Sequence, residues 1–180
     1  MSKTHELVIA GFGGQGILFT GKVLAYGGLT SGREVSWLPS YGPEMRGGTA
    51  NCHVIISDKP VGSPIISNPT SLIAMNKPSL DKFEDLVVPG GTIIIDSSLI
   101  DRKVKRTDVN AFYIPATHMA LDMDAAKMAN MIILGKLIRE TQMLSYDELK
   151  AGLKKCVPPS KAELYDFNLK VIDVGYQYND

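Results

Sequence analysis

The 180-residue chain has few cysteines, and the two it contains, Cys52 and Cys156, lie far apart in the sequence. An iron–sulfur cluster or a structural zinc ion needs about four protein ligands, mostly thiolates, at close spacing. Two separate thiols do not supply such a set, and the three histidines show no metal-ligand spacing either. We therefore expect no metal centre in this chain, and we expect both cysteines to be buried, reduced and structural.

An excess of charge of one sign is also lacking, because 19 Lys and Arg residues balance 19 Asp and Glu residues. A nucleic-acid-binding surface usually carries a basic stripe. The nearest approach to one is the short run 102–106, which we interpret as a solvated loop beside Asp101 and Asp108. No stretch approaches the ~20 apolar residues of a membrane span, and the polar start 1–5 shows no targeting segment. These absences predict a cytoplasmic protein that binds neither nucleic acid nor a membrane.

What the sequence does contain is an alternation of apolar strand-like and helix-like segments. Residues 6–10 predict a buried strand, residues 17–25 a buried helix and residues 34–38 a second strand, which together make a βαβ unit with a parallel strand pair. Further strands are predicted at 49–56, 71–75, 92–96 and 112–114. Turn residues follow the strand at 49–56, and they predict that residues 64–66 return as a strand antiparallel to it.

From Ala125 onward the sequence predicts helices. The helix around 128–138 is apolar on nearly all sides, as expected of a buried helix, and Gly135 would allow close approach of another helix. Residues 145–148 and 160–163 each predict a capping box at a helix start. We interpret residues 1–180 as a single α/β domain, namely a Rossmann-like, doubly wound, mostly parallel sheet with flanking helices and a helical C-terminal part.

Gly11, Gly13 and Gly16 form a G-x-G-x-x-G turn between the first strand and the first helix. Glycines let a chain turn tightly and approach a ligand, and free N–H groups at a helix start favour anions. Two interpretations stay open: a phosphate-containing ligand, or a tight strand-to-helix crossover. An NAD site would need an acidic residue at the end of the second strand, which instead ends at residues 38–41, and no Walker lysine follows the turn. The amide of Gln15 could contact a ligand or a neighbouring chain.

A second cluster of special residues, 40–48, follows the second strand. Its glycines permit unusual backbone angles, while Tyr41, Glu44 and Arg46 bring contact chemistry. The cluster falls near the carboxyl end of a strand, where open α/β sheets bind ligands. If the loop were an ordinary surface loop, an exposed Glu44–Arg46 ion pair would contribute only about 0–1 kcal/mol to stability. We favour an ordered loop that faces a partner or the anionic group of a cofactor.

The two clusters together resemble the gamma subunit of 2-oxoacid:ferredoxin (acceptor) oxidoreductases. That family uses a G-x-G-G-Q-G turn, matched here by residues 11–16, and an S-Y-G-P-E-x-R-G-G loop, matched by residues 40–48. The similarity extends through residues 130–135 and covers nearly the whole chain. The resemblance implies a cofactor- or partner-binding role for the residues of both motifs, which are Gly11, Gly13, Gly14, Gln15, Gly16, Ser40, Tyr41, Glu44, Arg46 and Gly47.

The resemblance also implies a complex that oxidatively decarboxylates a 2-oxoacid, forms an acyl-CoA and reduces ferredoxin or a similar acceptor. In that family, thiamine diphosphate with its magnesium ion lies between the alpha and beta subunits. Iron–sulfur clusters lie in beta or in a ferredoxin-like delta subunit. This chain has no G-D-G…N motif for the metal-bound diphosphate and no cysteine set for a cluster. The resemblance therefore implies a subunit that supports assembly and helps to shape the CoA path, without catalytic residues of its own.

Within the family, a compact and separate chain most resembles the 2-oxoglutarate type, although pyruvate is another family substrate. The substrate pocket belongs mostly to other subunits, so the 2-oxoacid, the electron acceptor and the stoichiometry stay open at this point. The family expectation is a dimer of multi-subunit units, and a homodimer is the corresponding expectation for the isolated chain. Two alternatives are a free-standing nucleotide- or CoA-binding module and a purely structural interaction subunit.

Overall fold

A computed structural model describes residues 3–40 and 49–179 of the chain. Within these residues the chain forms six strands, six α-helices and two single-turn 3-10 helices. The strands are β1 (Thr4–Phe12), β2 (Glu34–Ser40), β3 (Thr49–Ser57), β4 (Ser71–Ala74), β5 (Thr92–Asp96) and β6 (Asn110–Ile114). The α-helices are α1 (Ile17–Thr30), α2 (Lys77–Phe83), α3 (Ala116–Asp122), α4 (Ala129–Thr141), α5 (Tyr146–Cys156) and α6 (Ala162–Gln177), and the 3-10 helices are Glu84–Leu86 and Pro159–Lys161.

The six strands form one mixed sheet in the order β2-β3-β1-β4-β5-β6. Strands β1, β4, β5 and β6 are parallel neighbours, whereas β3 runs antiparallel to both β1 and β2. The register of β1 against β4 pairs Val8 with Leu72, and the register of β1 against β3 pairs Val8 with His53. Helices cover both faces, so the predicted doubly wound α/β class is confirmed.

β1 and β2 run in the same direction, as predicted, because both are antiparallel to β3, but they do not pair as predicted, since β3 lies between them. The connection from Ser40 to Thr49 is too short for the crossover of a dozen or more residues that a parallel neighbour requires. The chain therefore turns back beside β2, and β3 fills the space between β2 and β1. The sheet is parallel over four strands and antiparallel at one end.

The predicted strand at residues 64–66 is also wrong, because residues 58–70 form no strand. Pro60, Pro64 and Pro69 remove three backbone donors from this segment, which makes a regular ladder unfavourable. Near the middle of the segment, a side chain of the sheet holds it in place: the Ile66 backbone N–H donates to Nδ1 of His53 at 3.0 Å.

Alternate residues of each strand are buried on opposite faces of the sheet. On one face, Ile9 and Ile73 belong to a large core with α1 and α4, whereas on the other face Val8 and Leu72 pack with Leu80 of α2. Helix α4 is buried over its first ten residues, as expected of a helix that is apolar on nearly all sides, and α6 covers its outer side.

The helices pack closely in pairs through glycine. A methyl group on Gly135 of α4 would overlap the carbonyl oxygen of Ile172 on α6, and one on Gly175 of α6 would overlap the carbonyl oxygen of Ile132 on α4. The predicted close approach at Gly135 is therefore confirmed, and it is reciprocal. Helix α5 approaches α1 in the same way, with Gly152 against the carbonyl oxygen of Val23.

One of the two predicted capping boxes is present. The Ser145 side chain accepts from the Glu148 backbone N–H, and the Glu148 carboxylate accepts from the Ser145 backbone N–H. The second predicted box is wrong: Ser160 lies inside a 3-10 helix, and α6 begins after Lys161 without a side-chain cap. The preceding prolines impose a tighter turn, so Ser160 is not at the position where a capping side chain reaches the helix start.

No helix within residues 3–40 and 49–179 has the length and apolar character needed to cross a lipid bilayer.

Replacing Gly175 by alanine is expected to destabilise the fold. Alanine gains about 1 kcal/mol of helix propensity over glycine, but its methyl group would force α6 away from the Ile132 carbonyl. We expect the free energy of unfolding, measured by urea denaturation, to fall by about 1–3 kcal/mol. Gly62→Ala is the matched control, since no heavy atom lies within 4 Å of its Cβ position. A Gly175→Ala protein as stable as the control would contradict the close helix contact.

Candidate functional site

The carboxyl ends of β1, β4, β5 and β6 meet at one edge of the sheet, because these strands are parallel. After β1 the chain enters α1 on one face, whereas after β4 it enters α2 on the other face. β1 and β4 are neighbours, so the topological switch point of the sheet lies between them. Open α/β sheets bind ligands in the crevice at this point. The glycine turn, residues 11–16, lies beside it.

Two glycines of this turn adopt backbone angles that other residues rarely do. Gly14 has a φ of +91°, and Gly16, the N-cap of α1, has a φ of +75°. Gly11 is extended but lies directly against the amide oxygen of Gln15. Of the glycines in the G-x-G-x-x-G spacing, Gly11 and Gly16 therefore have a structural reason, and so has Gly14, which lies between them.

The Gln15 side chain links the two strands that border this crevice. Its Oε1 accepts from the Phe12 backbone N–H at 2.6 Å, and its Nε2 donates to the Met75 carbonyl oxygen at 3.1 Å. The side chain therefore bridges the end of β1 to the residue after β4.

Asn130 is a site residue that the sequence analysis did not single out. It is 5% exposed, and its Nδ2 donates to the Gly16 carbonyl oxygen at 3.2 Å and to Thr20 Oγ1 at 3.1 Å. Asn130 thereby fixes the start of α4 to the start of α1. One signal in the sequence could have revealed it: a lone amide in the otherwise apolar first half of α4.

The two helix starts that Asn130 joins are without side-chain caps, although the Met131 backbone N–H in the first turn of α4 donates to the Met128 carbonyl oxygen at 2.9 Å. In the part of the chain that the structure describes, neither α1 nor α4 has a side-chain cap or an acidic residue in its first turn. Uncapped N–H groups and the helix dipole both favour a negative group at such a position. The start of α1, which Gly16 caps, therefore favours a negative group at this edge of the sheet.

Shallow pockets lie on both sides of Gly14. One, of about 200 Å³, is lined by Gln15, Met75, Leu99, Thr117 and Lys127 among others. The other, of about 290 Å³, is lined by Phe12, Gly13, residues 16–19 and Ala50. The glycine turn is therefore a ridge between two pockets, and Lys127 brings a charged side chain to the first of them.

Buried side chains hold the rest of this edge in place. The carboxylate of Asp96, at the end of β5, accepts from the Thr117 hydroxyl at 2.6 Å and from the Ser98 backbone N–H at 3.0 Å. Both carboxylate oxygens are occupied within the chain. Asp96 therefore shapes the wall of the pocket that Thr117 lines, and its oxygens do not project into that pocket.

The loop motif contributes only its first residue to the described site. Ser40 ends β2 and pairs with Asn51 of β3, which in turn pairs with Ala10 of β1. At roughly 4.8 Å per strand spacing, Ser40 lies about 10 Å from β1 at the same edge of the sheet. The other candidates from this motif, Tyr41, Glu44, Arg46 and Gly47, lie outside the described residues.

The cysteines and histidines do not form a reactive or metal-binding cluster in the described ranges. Burial raises the pKa of the Cys52 thiol to about 12, and burial also raises the pKa of the half-buried Cys156. Neither thiol supplies a thiolate at neutral pH. Burial lowers the pKa of His53, whose Nδ1 accepts a backbone hydrogen bond as a neutral ring. Across residues 3–40 and 49–179, no group of three or more His, Cys, Asp or Glu side chains could hold a metal ion.

The basic run 102–106 is anchored to the fold. Arg102 binds Asp81 and the buried carboxylate of Glu84, both at 2.6 Å, while Arg106 binds Asp108 at 2.6 Å. The interpretation as a solvated loop is therefore wrong for the two arginines. It fits the two lysines of the run, whose side chains are exposed.

Comparisons with known proteins match this architecture over nearly the whole chain. The model of the pyruvate ferredoxin/flavodoxin oxidoreductase family matches residues 6–178. Ketoisovalerate oxidoreductase subunit VorA of Methanothermobacter thermautotrophicus is 39% identical over 170 residues, which cover 94% of this chain and 35% of that protein. 2-oxoglutarate synthase subunit KorC of Methanocaldococcus jannaschii is 33% identical over 175 residues, which cover 96% of this chain and 92% of that protein. The chain thus spans about a third of the length of the VorA relatives.

Solved structures give the same correspondence in three dimensions. The gamma subunit of a keto/oxoacid ferredoxin oxidoreductase from Geobacter sulfurreducens superposes with a TM-score of 0.82 at 25% identity, covering 96% of both chains. A 2-oxoglutarate:ferredoxin oxidoreductase chain from Magnetococcus marinus superposes with a TM-score of 0.85 at 26% identity, covering 96% of this chain and 30% of that one.

Replacing Gln15 by alanine is expected to loosen the crevice locally. The Phe12 backbone N–H and the Met75 carbonyl would lose their partners, which should lower the free energy of unfolding by about 1 kcal/mol. Amide hydrogen exchange resolved by NMR should show faster exchange at Phe12. Gln177→Ala, at the exposed end of α6, is the control and should change neither quantity. Unchanged protection of the Phe12 amide in Gln15→Ala would contradict the bridging role.

Proposed function

Because the chain belongs to the pyruvate ferredoxin/flavodoxin oxidoreductase family, we propose that it is the gamma subunit of a multi-subunit 2-oxoacid:ferredoxin oxidoreductase. The observation that carries this proposal is the correspondence over nearly the full length of two separate gamma-type chains, KorC of Methanocaldococcus jannaschii and the gamma subunit from Geobacter sulfurreducens. In the VorA relatives the matching region makes up about a third of a longer chain. The same unit thus occurs both as a separate subunit and within a larger one.

The proposed reaction is the oxidative decarboxylation of a 2-oxoacid, with formation of an acyl-CoA and reduction of ferredoxin. The substrate proposed is 2-oxoglutarate, since four of the similar proteins are 2-oxoglutarate synthase subunits. The proposed partners are alpha and beta subunits and a ferredoxin-like delta subunit, in the cytoplasm. Those partners would hold thiamine diphosphate with magnesium and the iron–sulfur clusters.

The residues of this chain do not fit the redox groups. An iron–sulfur cluster needs about four thiolates, whereas the chain has two free cysteines, one of them buried with a pKa of about 12. Its proposed contribution is therefore to bind and position, and an isolated chain should be inactive.

Coenzyme A does fit the chemistry of the glycine ridge. It carries phosphate groups, and the uncapped start of α1 together with Lys127 favours an anion there. The pocket beside Lys127, about 200 Å³, is smaller than the roughly 300–1,000 Å³ that encloses a small ligand. We therefore propose that the ridge holds one phosphate-bearing end of coenzyme A while the remainder extends toward partner subunits. The motif residues Tyr41, Glu44, Arg46 and Gly47 are proposed to face the same ligand or a partner.

A second candidate role, a structural subunit whose glycine turn binds nothing, rests on one specific observation. The Gln15 bridge and the Asn130 contact account for Gly11 and Gly16 by packing alone. The two roles differ at Lys127, which makes no contact in that network.

Assembly tests the subunit proposal. Co-expression with thiamine-dependent alpha and beta chains should yield a complex that retains this chain through size-exclusion chromatography. That complex should oxidise 2-oxoglutarate in a CoA-dependent manner. Preparations made without the chain serve as the control and should lose activity. If the chain never co-purifies and activity is the same without it, the proposal fails.

A Lys127→Ala variant separates the two roles of the ridge. Loss of a partly exposed charged contact of about 1 kcal/mol should raise the KM for CoA about fivefold in the assembled enzyme, with kcat and complex yield unchanged. Lys59→Ala, at the opposite edge of the sheet, is the control. A KM for CoA equal to that of the control would favour the structural role.

A further inference from the structure

A groove between α1 and α5 is the feature of the surface that the proposed function leaves without a role. It has a volume of about 510 Å³, and its floor is formed by Thr30, Ala151, Cys156, Val157 and the two prolines that follow. No acidic residue is among the residues lining it. We call this feature the α1–α5 groove.

Three lysines lie at or near the α1–α5 groove. Lys154 and Lys155 line it from the last turn of α5. Lys22 of α1 does not line the groove itself, but it is close enough to Cys156, which does, for its charge to lower the pKa of that thiol against the larger, opposite effect of burial. All three lysine side chains are exposed.

These lysines are without carboxylate partners among the described residues. Elsewhere in the same part of the chain, Lys77, Lys136 and Lys150 each form an ion pair with an Asp or Glu within 3.1 Å. The dipole of α5 favours Lys154 and Lys155 in its last turn. It does not account for Lys22, which belongs to the middle of another helix. Three uncompensated positive charges around an apolar floor, in a chain of zero formal net charge, favour an acidic occupant.

The helices that form the groove are held rigidly. Gly27 of α1 lies against the Glu148 carbonyl, and Gly152 of α5 lies against the Val23 carbonyl, so the helices are antiparallel and in backbone contact. The groove is therefore a preformed surface. Lys22, near the groove, is six residues, or about 9 Å along the helix axis, from Gly16 in the glycine ridge.

Apolar surface continues beyond the lysines on α1. Leu29 is 54% exposed, and Tyr26 lies next to Lys22, whose Nζ is 5.9 Å from the ring centroid. This helix pair therefore presents both apolar and cationic groups. Such a surface is complementary to a protein segment that carries both carboxylates and aliphatic side chains. A small anion would leave the apolar floor uncovered.

From these observations we infer that the α1–α5 groove docks an acidic, partly apolar segment of another subunit of the complex. The inference rests on the proposed function for the existence of that complex. It adds a surface distinct from the glycine ridge, with recognition by charge at its rim and by apolar burial at its floor.

Lysine reactivity in the assembled enzyme tests the inference. The purified complex and the isolated chain are treated with an acetylating reagent, and the modified lysines are quantified by mass spectrometry. We expect Lys22, Lys154 and Lys155 to react about tenfold more slowly in the complex. Lys82 is the matched control: its Nζ lies 5.3 Å from the Phe83 ring centroid, on the opposite face of the sheet. Carbodiimide treatment of the complex should link the groove lysines to Asp or Glu residues of one partner subunit.

Charge reversal provides the second arm. A K154E/K155E variant should reduce the fraction of the chain that co-elutes with its partners about tenfold at low salt, and K59E/K82E should not. Circular dichroism verifies that both variants are folded. Reversing the cross-linked carboxylates on the partner to lysine should restore co-elution.

The possible failures are distinguishable. A complex that assembles with equal lysine reactivity in both states, and that tolerates K154E/K155E, overturns the docking inference and leaves the subunit proposal standing. A chain that never assembles with alpha and beta subunits overturns both.

Discussion

The two hydrogen bonds of the Gln15 amide are the contacts on which the candidate functional edge of this protein depends. The amide accepts from the chain at the end of β1 and donates to the chain after β4, the two strands between which the direction of winding changes. Gly11 has no Cβ because the amide oxygen lies there, and Gly14 and Gly16 take the positive φ angles that bring Gln15 back over the strand. A turn held from inside in this way keeps its shape without a ligand, so it is preorganised for any group that binds at the start of α1.

The features that could be predicted from the sequence are those that depend on residues close together in the chain. The glycine turn, the helix after it, the apolar strands and the buried α4 rest on local patterns, and each was found close to its predicted position. The placement of β3 between β1 and β2 depends on which strands pair, which periodicity does not encode. Asn130 was missed because its contact with Gly16 spans 114 residues. Ser160 was misassigned because a capping pattern does not reveal that prolines have already set the backbone.

The division of chemistry between this chain and its proposed partners also follows from its composition. Two cysteines with raised pKa values and a metal-poor set of side chains leave little redox chemistry to the described residues. The main structural feature of the chain is instead the rigid packing of its helices. The α4–α6 and α1–α5 pairs are in backbone contact through Gly135, Gly175 and Gly152. Such contacts tolerate no side chain and little sliding, and they suit a subunit whose task is to hold a ligand-facing edge in a fixed position.

Helix α1 connects the two surfaces that carry the functional proposals. Its first residues form the open start beside Gly16, its middle bears Lys22 at the α1–α5 groove, and Gly21 and Gly28 leave room for Trp37, Cys52 and Val35 beneath it. A partner bound in the groove would contact α1. The start of this helix is fixed by Asn130, which donates to Gly16 and to Thr20. Docking and ligand binding would therefore act on one rigid element. If either event displaced α1, the glycine turn would move with it. The Gln15 hydrogen bonds hold that turn rigid, so the turn cannot compensate for the displacement by changing its own conformation.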